Sequence, residues 1–135
     1  MTHPLLLQRR AGVVLHPTSL PGPHGSGDFG PDAYRFVDWL QSAGQTLWQT
    51  LPLGPVGPGY SPYMGSSAFA GNPALVAFEP MRERGWLTAR SLQASFDPLR
   101  VDYPSVSAWR LQKLREAFAG FGKRAKAAEK NALHA

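Results

Sequence analysis

Short apolar runs and one clear helical stripe organise the first part of the chain. Residues 11–16, Ala-Gly-Val-Val-Leu-His, are apolar and are stopped by Pro17, the pattern of a buried strand. Residues 17–30 hold four glycines and three prolines among polar residues and read as a loop. Pro31 suits the first position of a helix, where a missing N–H costs nothing, and Asp32 favours the same end through the helix dipole. Ala33, Phe36, Val37, Leu40 and Ala43 then recur on one face, and Gly44 follows as a C-terminal cap. Residues 46–53 read as a second strand, with Leu47, Gln49, Leu51 and Leu53 on one side, Trp48 and Thr50 on the other, and Pro52 marking its end.

Strand, loop, helix, tight turn and strand make a β-α-β unit with parallel strands and a right-handed crossover. Parallel sheets need both faces covered, and two strands cannot cover themselves. Ala74–Phe78 is one further strand candidate. The remainder leans helical. Residues 81–86 read as a short helix or turn ending at Gly85, and 88–94 as another. Pro104 opens a longer helix with Leu111, Leu114, Phe118 and Phe121 on one face, expected to end at Gly120 and Gly122. Residues 123–133, rich in alanine and lysine, form a further helix with little apolar surface.

Composition changes the picture in three ways. The 135 residues suffice for one domain, and 43% apolar against 17% charged residues excludes compositional disorder. Fourteen glycines and thirteen prolines are about a fifth of the chain, above the roughly 12% of an average protein, and demand many turns. No cysteine is present, which excludes disulfides, thiolate metal sites and a cysteine nucleophile, and suits a cytoplasmic protein. The three consecutive leucines near the N-terminus are too few for a signal peptide, and no run approaches the ~18 apolar residues of a membrane span. The net charge of +5 lies entirely in residues 109–135, where seven basic side chains face Glu116 and Glu129. Aromatic residues do not interleave with Lys123, Arg124, Lys126 and Lys130, so this is read as a solvated helical face and no nucleic-acid partner is expected.

Candidate chemistry is sparse. The loop after the second strand, 54–73, combines stiff prolines with turn-permitting glycines and presents Tyr60 and Tyr63 beside Ser61, Ser66 and Ser67. A tyrosine ring has an apolar face and a polar tip, which matches a sugar's C–H face and hydroxyls, and also serves to pack a loop onto its body. His16-Pro-Thr-Ser19 leaves the first strand with no carboxylate nearby in sequence, so a nucleophilic triad is unsupported and His16 reads as structural or substrate-contacting. His3, His16, His24 and His134 show no metal-ligand spacing. Gly25-Ser-Gly-Asp-Phe-Gly30 fits a dinucleotide fingerprint only superficially, being separated from the strand by prolines and lacking the acid after the second strand. The nine acidic residues contain no evident acid and nucleophile pair. On these grounds alone the function stays undecided.

Several long blocks nevertheless resemble one family. Arg10-Ala-Gly-Val-Val-Leu-His-Pro-Thr-Ser-Leu-Pro-Gly-Pro-His-Gly25, Gly27-Asp-Phe-Gly-Pro-Asp-Ala-Tyr-Arg-Phe-Val-Asp-Trp-Leu40, Trp48-Gln-Thr-Leu-Pro-Leu-Gly-Pro55, Ser61-Pro-Tyr63 and Ser67-Ala-Phe-Ala-Gly-Asn-Pro73 follow in order. Together they resemble glycoside hydrolase family 77, the amylomaltases or 4-α-glucanotransferases, and Phe96-Asp-Pro-Leu-Arg-Val-Asp-Tyr103 resembles the family's next segment more loosely. The resemblance implies an α/β fold: the first β-α-β unit of a (β/α)8 TIM barrel followed by a helical segment, an incomplete barrel. It divides the chain into residues 1–80, carrying the strands, helix and substrate-side loop, and residues 81–135, a mainly helical insertion. It implies transfer of α-1,4-glucan segments between maltooligosaccharides such as maltotriose by a retaining double displacement. No cofactor or metal is implied, and no membrane partner.

The family's catalytic carboxylates lie downstream and match no position here, so the resemblance implies a substrate-binding N-terminal portion that is inactive alone. Tyr63 matches the tyrosine that stacks on the sugar beside the scissile bond, and Ser61 a donor-site neighbour. His16 and Asn72 sit in family motifs. Many members have Tyr-Gly-Asp before Ser-Pro-Tyr where this chain has Pro58-Gly59-Tyr60, which makes Tyr60 the candidate for any second glucan contact and removes the acid's hydrogen bond. The alternative is a non-catalytic glucan-binding fragment. Apolar strand faces without neighbours imply aggregation or a molten state of the isolated chain.

Overall fold

The computed structural model describes residues 9–67 and 69–133; the leucines near the N-terminus, His3 and His134 lie outside them. Two short strands, β1 (Gly12–Val14) and β2 (Leu47–Gln49), form a parallel pair in which Gly12 faces Leu47 and Val14 faces Gln49. Hydrogen bonds from Thr46 N–H to Ala11 and from Leu15 N–H to Gln49 carry the ladder one step further at each end. The strands are shorter than the apolar runs because Pro17 and Pro52 follow closely and have no N–H to donate. Between them, α1 (Pro31–Ser42) starts at Pro31 and stops at Gly44, which takes a left-handed φ of 69°. Of its predicted apolar face Ala33 and Leu40 are buried, whereas Val37 is exposed.

Past β2 several readings made from local pattern change. Ala74–Phe78 is not a strand. The Asn72 side chain accepts the Ala74 N–H at 2.9 Å and the Asn72 carbonyl accepts the Leu75 N–H at 3.0 Å, which draws the chain into a 3-10 turn over Pro73–Leu75. The helix read at 88–94 is a turn, in which the hydroxyls of Thr88 and Ser91 each accept the other's backbone N–H. The short helix α2 (Glu79–Glu83) does form and ends at Gly85.

The long helix, α3 (Tyr103–Arg124), runs 22 residues, straight through both glycines expected to end it. At Gly120 the reason is contact: a Cβ there would overlap the Trp86 carbonyl oxygen, so the glycine lets the helix lie against the 86–87 segment. The helix breaks instead at Ala125, where the backbone turns extended, and α4 (Ala127–Ala132) follows. The buried face of α3 is also shifted from the expected one. Val106, Arg110 and Ala117 are buried, while Leu111 and Phe118 are exposed at 44% and 67%. Phe78, Leu87 and Ala117 form the core, with Met81, Leu92, Trp109 and Leu114 packed against it. Full burial of Phe78 and Leu87 contributes about 1.5–3 kcal/mol each.

Part of the basic C-terminal charge is used internally. Lys130 Nζ donates to the Gly122 carbonyl at 2.9 Å, Arg124 donates to the Gly85 carbonyl, and Arg84 faces Glu129 at 3.6 Å. Among the described residues no helix is long and apolar enough to cross a membrane.

Candidate functional site

Because β1 and β2 are parallel, the segments after them leave from the same end of the sheet. Trp48 ties the two ends, its indole N–H donating to the Leu15 carbonyl at 2.7 Å. His16 follows immediately. Its Nδ1 accepts the Thr18 N–H at 3.3 Å and lies 2.8 Å from the Thr18 hydroxyl. An Nδ1 that accepts a backbone N–H carries no proton, so the neutral ring bears it on Nε2. That atom is buried and has no hydrogen-bond partner. Burial lowers the pKa of His16, against an opposing effect of the Pro52 backbone, and keeps the imidazole neutral at pH 7.

The loop 54–73 is clasped at its neck. Asn72 Nδ2 donates to the Gly54 carbonyl at 3.0 Å while its Oδ1 accepts from Ala74, so both polar groups of this side chain are engaged. Within the loop two 3-10 turns, Pro58–Tyr60 and Pro62–Met64, each start at a proline whose φ is already set. Ser61 caps the second, its Oγ accepting the Tyr63 N–H at 3.3 Å. The Tyr63 ring is left 71% exposed, beside an exposed Met64.

Tyr60 is held differently. Its φ of 57° is left-handed, an uncommon conformation for a non-glycine residue, and its ring stacks on Tyr103 at the start of α3 with centroids 5.4 Å apart and planes 19° from parallel. The pair borders a groove of about 560 Å³ that Asp97, Arg100 and Asp102 also line. Sequence reasoning gave Tyr103, Asp97 and Arg100 no site role, although 96–103 carried part of the family resemblance; only the fold brings them to Tyr60. Among the described residues no hydrogen bond joins His16 to Ser61, Tyr63 or Asn72. No group of three or more His, Cys, Asp or Glu residues there is placed to hold a metal ion.

Known proteins align with most of this arrangement. The family model Glyco_hydro_77, described as 4-alpha-glucanotransferase, matches residues 15–135. The chain is 48% identical over 129 residues to a 4-alpha-glucanotransferase of Thermus thermophilus, covering 96% of this chain and 25% of that protein. A 4-alpha-glucanotransferase of Synechocystis is 45% identical over 119 residues, and a chloroplastic/amyloplastic one of Solanum tuberosum 46% identical over 104. Among solved structures, the amylomaltase of Streptococcus agalactiae in complex with acarbose superposes with a TM-score of 0.82 at 39% identity, over 91% of this chain and 26% of that one. The chain spans about a quarter of the length of these bacterial relatives. With a family match across nearly all the described residues, the chain belongs to the glycoside hydrolase 77 family of 4-alpha-glucanotransferases.

Proposed function

We propose that this chain is a substrate-binding segment of a 4-alpha-glucanotransferase acting on α-1,4-glucans such as maltotriose and longer maltooligosaccharides. Its β-α-β unit is the opening strand, helix and strand of a (β/α)8 barrel, in which the strand end carrying His16 and the tyrosine loop is the catalytic face. Tyr63 stacks on the sugar next to the bond that is broken, Ser61 holds the turn that presents it, and Asn72 closes the loop's neck. His16 lies at the same end with a neutral, buried Nε2–H. The carboxylates of the retaining double displacement, nucleophile and acid/base, come from outside these residues.

The observation that carries this reading is Tyr63. A large aromatic ring held 71% exposed by a capped, proline-started turn is a surface waiting for a flat, partly apolar ligand. Tyr63→Ala is expected to lower transfer from maltotriose strongly without unfolding the protein. An unchanged transfer rate would exclude this role.

The stacked Tyr60 and Tyr103 favour a second reading that is compatible with the first. Two near-parallel rings beside Asp97, Arg100 and Asp102 form a glucan contact separate from Tyr63. Tyr60→Ala is then expected to weaken binding of long maltooligosaccharides while leaving transfer from maltotriose nearly intact. Equal losses on short and long substrates would merge the two contacts into one.

A further inference from the structure

We infer that Arg110 is a positioning residue for the glucan site, acting through Asp28 and the Val76 carbonyl; the inference rests on the glucanotransferase reading above. Arg110 is the most deeply buried charge among the described residues, 1% exposed in the middle of α3. A guanidinium taken out of water is strongly unfavourable unless paired and hydrogen-bonded, and apolar side chains in place of the whole pair often serve stability as well. Nor is this pairing optimised for stability. Nη2 alone makes both polar contacts, 2.9 Å to Asp28 Oδ2 and 2.6 Å to the Val76 carbonyl, over the ring of Phe78 at 4.7 Å. Nε and Nη1 have no partner, and neither do the buried His24 Nδ1 and Glu79 Oε2.

What the charge does provide is a tie between distant segments, since its acceptors lie 82 and 34 residues away in sequence. Each acceptor belongs to a segment that leads to a site residue. Asp28 closes the loop that begins at His16, and its Oδ1 accepts the Gly30 N–H at 2.8 Å where α1 starts. Val76 follows the turn that Asn72 caps, and Asn72 holds Gly54 at the neck of the tyrosine loop. Phe29 N–H donates to the Leu75 carbonyl at 3.1 Å and joins the two segments directly. The same helix carries Tyr103 under Tyr60. One rigid element thereby fixes the tyrosine loop at its neck, through Arg110, and at its crest, through Tyr103.

The test uses the polypeptide as purified from its source. Arg110→Lys keeps the charge but ends one bond short of Nη2, the single atom that reaches both acceptors, and so cannot hold the two together in the same way. It is expected to raise KM for maltotriose about tenfold with kcat changed by less than about twofold, well short of the roughly hundredfold loss a 1 Å misplacement can cause. Hydrogen exchange of the Phe29 amide is expected to speed up while the α3 amides stay protected. Asp28→Asn, which retains an acceptor for Gly30 and removes the charge, is expected to give the same pattern and carries the test alone where the lysine variant does not fold. Either readout unchanged in the folded variants overturns the inference: an intact KM means no effect on the site, and intact Phe29 protection means the effect does not run through this tie. A wild-type protein that transfers no glucan fails the glucanotransferase reading instead, and the exchange data still decide whether Arg110 holds the two segments.

Discussion

Between Gly54 and Pro73 most hydrogen bonds reach two or three residues along the chain, from Ser61 to Tyr63 and from Ser67 to Phe69 and Ala70. Around Arg110 they reach 34 and 82 residues. The first region keeps its backbone in place with local caps and prolines, which leaves the rings of Tyr63 and Phe69 free to face outward while Tyr60 stacks on Tyr103. The second region turns its rings inward, with His24 stacked on Trp109 at 5.5 Å and set edge-on to Phe78 at 5.3 Å. An exposed loop can be built from short-range bonds because most of its side chains have no packing duty. A scaffold cannot, because its duty is to join segments that the sequence keeps apart.

Substitutions should therefore differ in stability: large losses are expected around Arg110 and small ones in the tyrosine loop. The largest effect is expected at Arg110→Met, which leaves Asp28 without its partner and destabilises the fold by about 3–5 kcal/mol, read from the urea unfolding midpoint. Gly120→Val is next. Its side chain overlaps the Trp86 carbonyl and forces α3 away from the 86–87 segment, at about 1–3 kcal/mol in the same experiment.

A smaller effect is expected from pH. Burial lowers the pKa of His24; Glu79 opposes this, Arg110 adds to it, Asp28 opposes it and Arg82 adds to it. The folded state then binds its proton later than the unfolded chain, whose histidine titrates near 6.5. The contribution to stability is present above that value and is lost as pH falls through it toward the lowered folded pKa. His16 acts in the same direction. His24→Phe, which keeps a ring between Phe78 and Trp109, should flatten but not abolish the fall in melting temperature between pH 7 and 5. An unchanged slope would mean that His24 is not buried neutral. The smallest stability effect belongs to the other region: Tyr63→Ala should change unfolding free energy by no more than about 0.5 kcal/mol while it removes transfer.

The same contrast explains what could be read from the sequence. The β-α-β unit was legible because its elements are set by adjacent residues: apolar runs ended by Pro17 and Pro52, and a helix opened by Pro31 and closed by Gly44. The tyrosine loop was legible as a stiff aromatic loop, and the sugar role proposed for it only through the family blocks. Gly120 misled because a helix-ending glycine and a close-contact glycine look alike until Trp86 is placed beside it. Ala74–Phe78 misled because its apolar character serves the core while its first three N–H groups are taken by Asn72 and Pro73. Arg110 was invisible to apolar periodicity, which counts any arginine as outward. The available signal was its place on the stripe Val106, Arg110, Ala117, and without knowing that Asp28 lay opposite there was no reason to turn that stripe inward.

Asp28 has its own consequence for how the sequence can change. One oxygen starts α1 through Gly30 and the other neutralises Arg110. Asparagine offers one oxygen and no charge, and glutamate is a methylene too long to cap its neighbour two residues on. In a library randomised at positions 28 and 110 together, survivors at a demanding temperature should be of two kinds: the original pair, or double replacements that discard both charges at once. Single steps between them pass through a buried, unmatched charge, so the pair behaves as one inherited unit although 82 residues separate its halves.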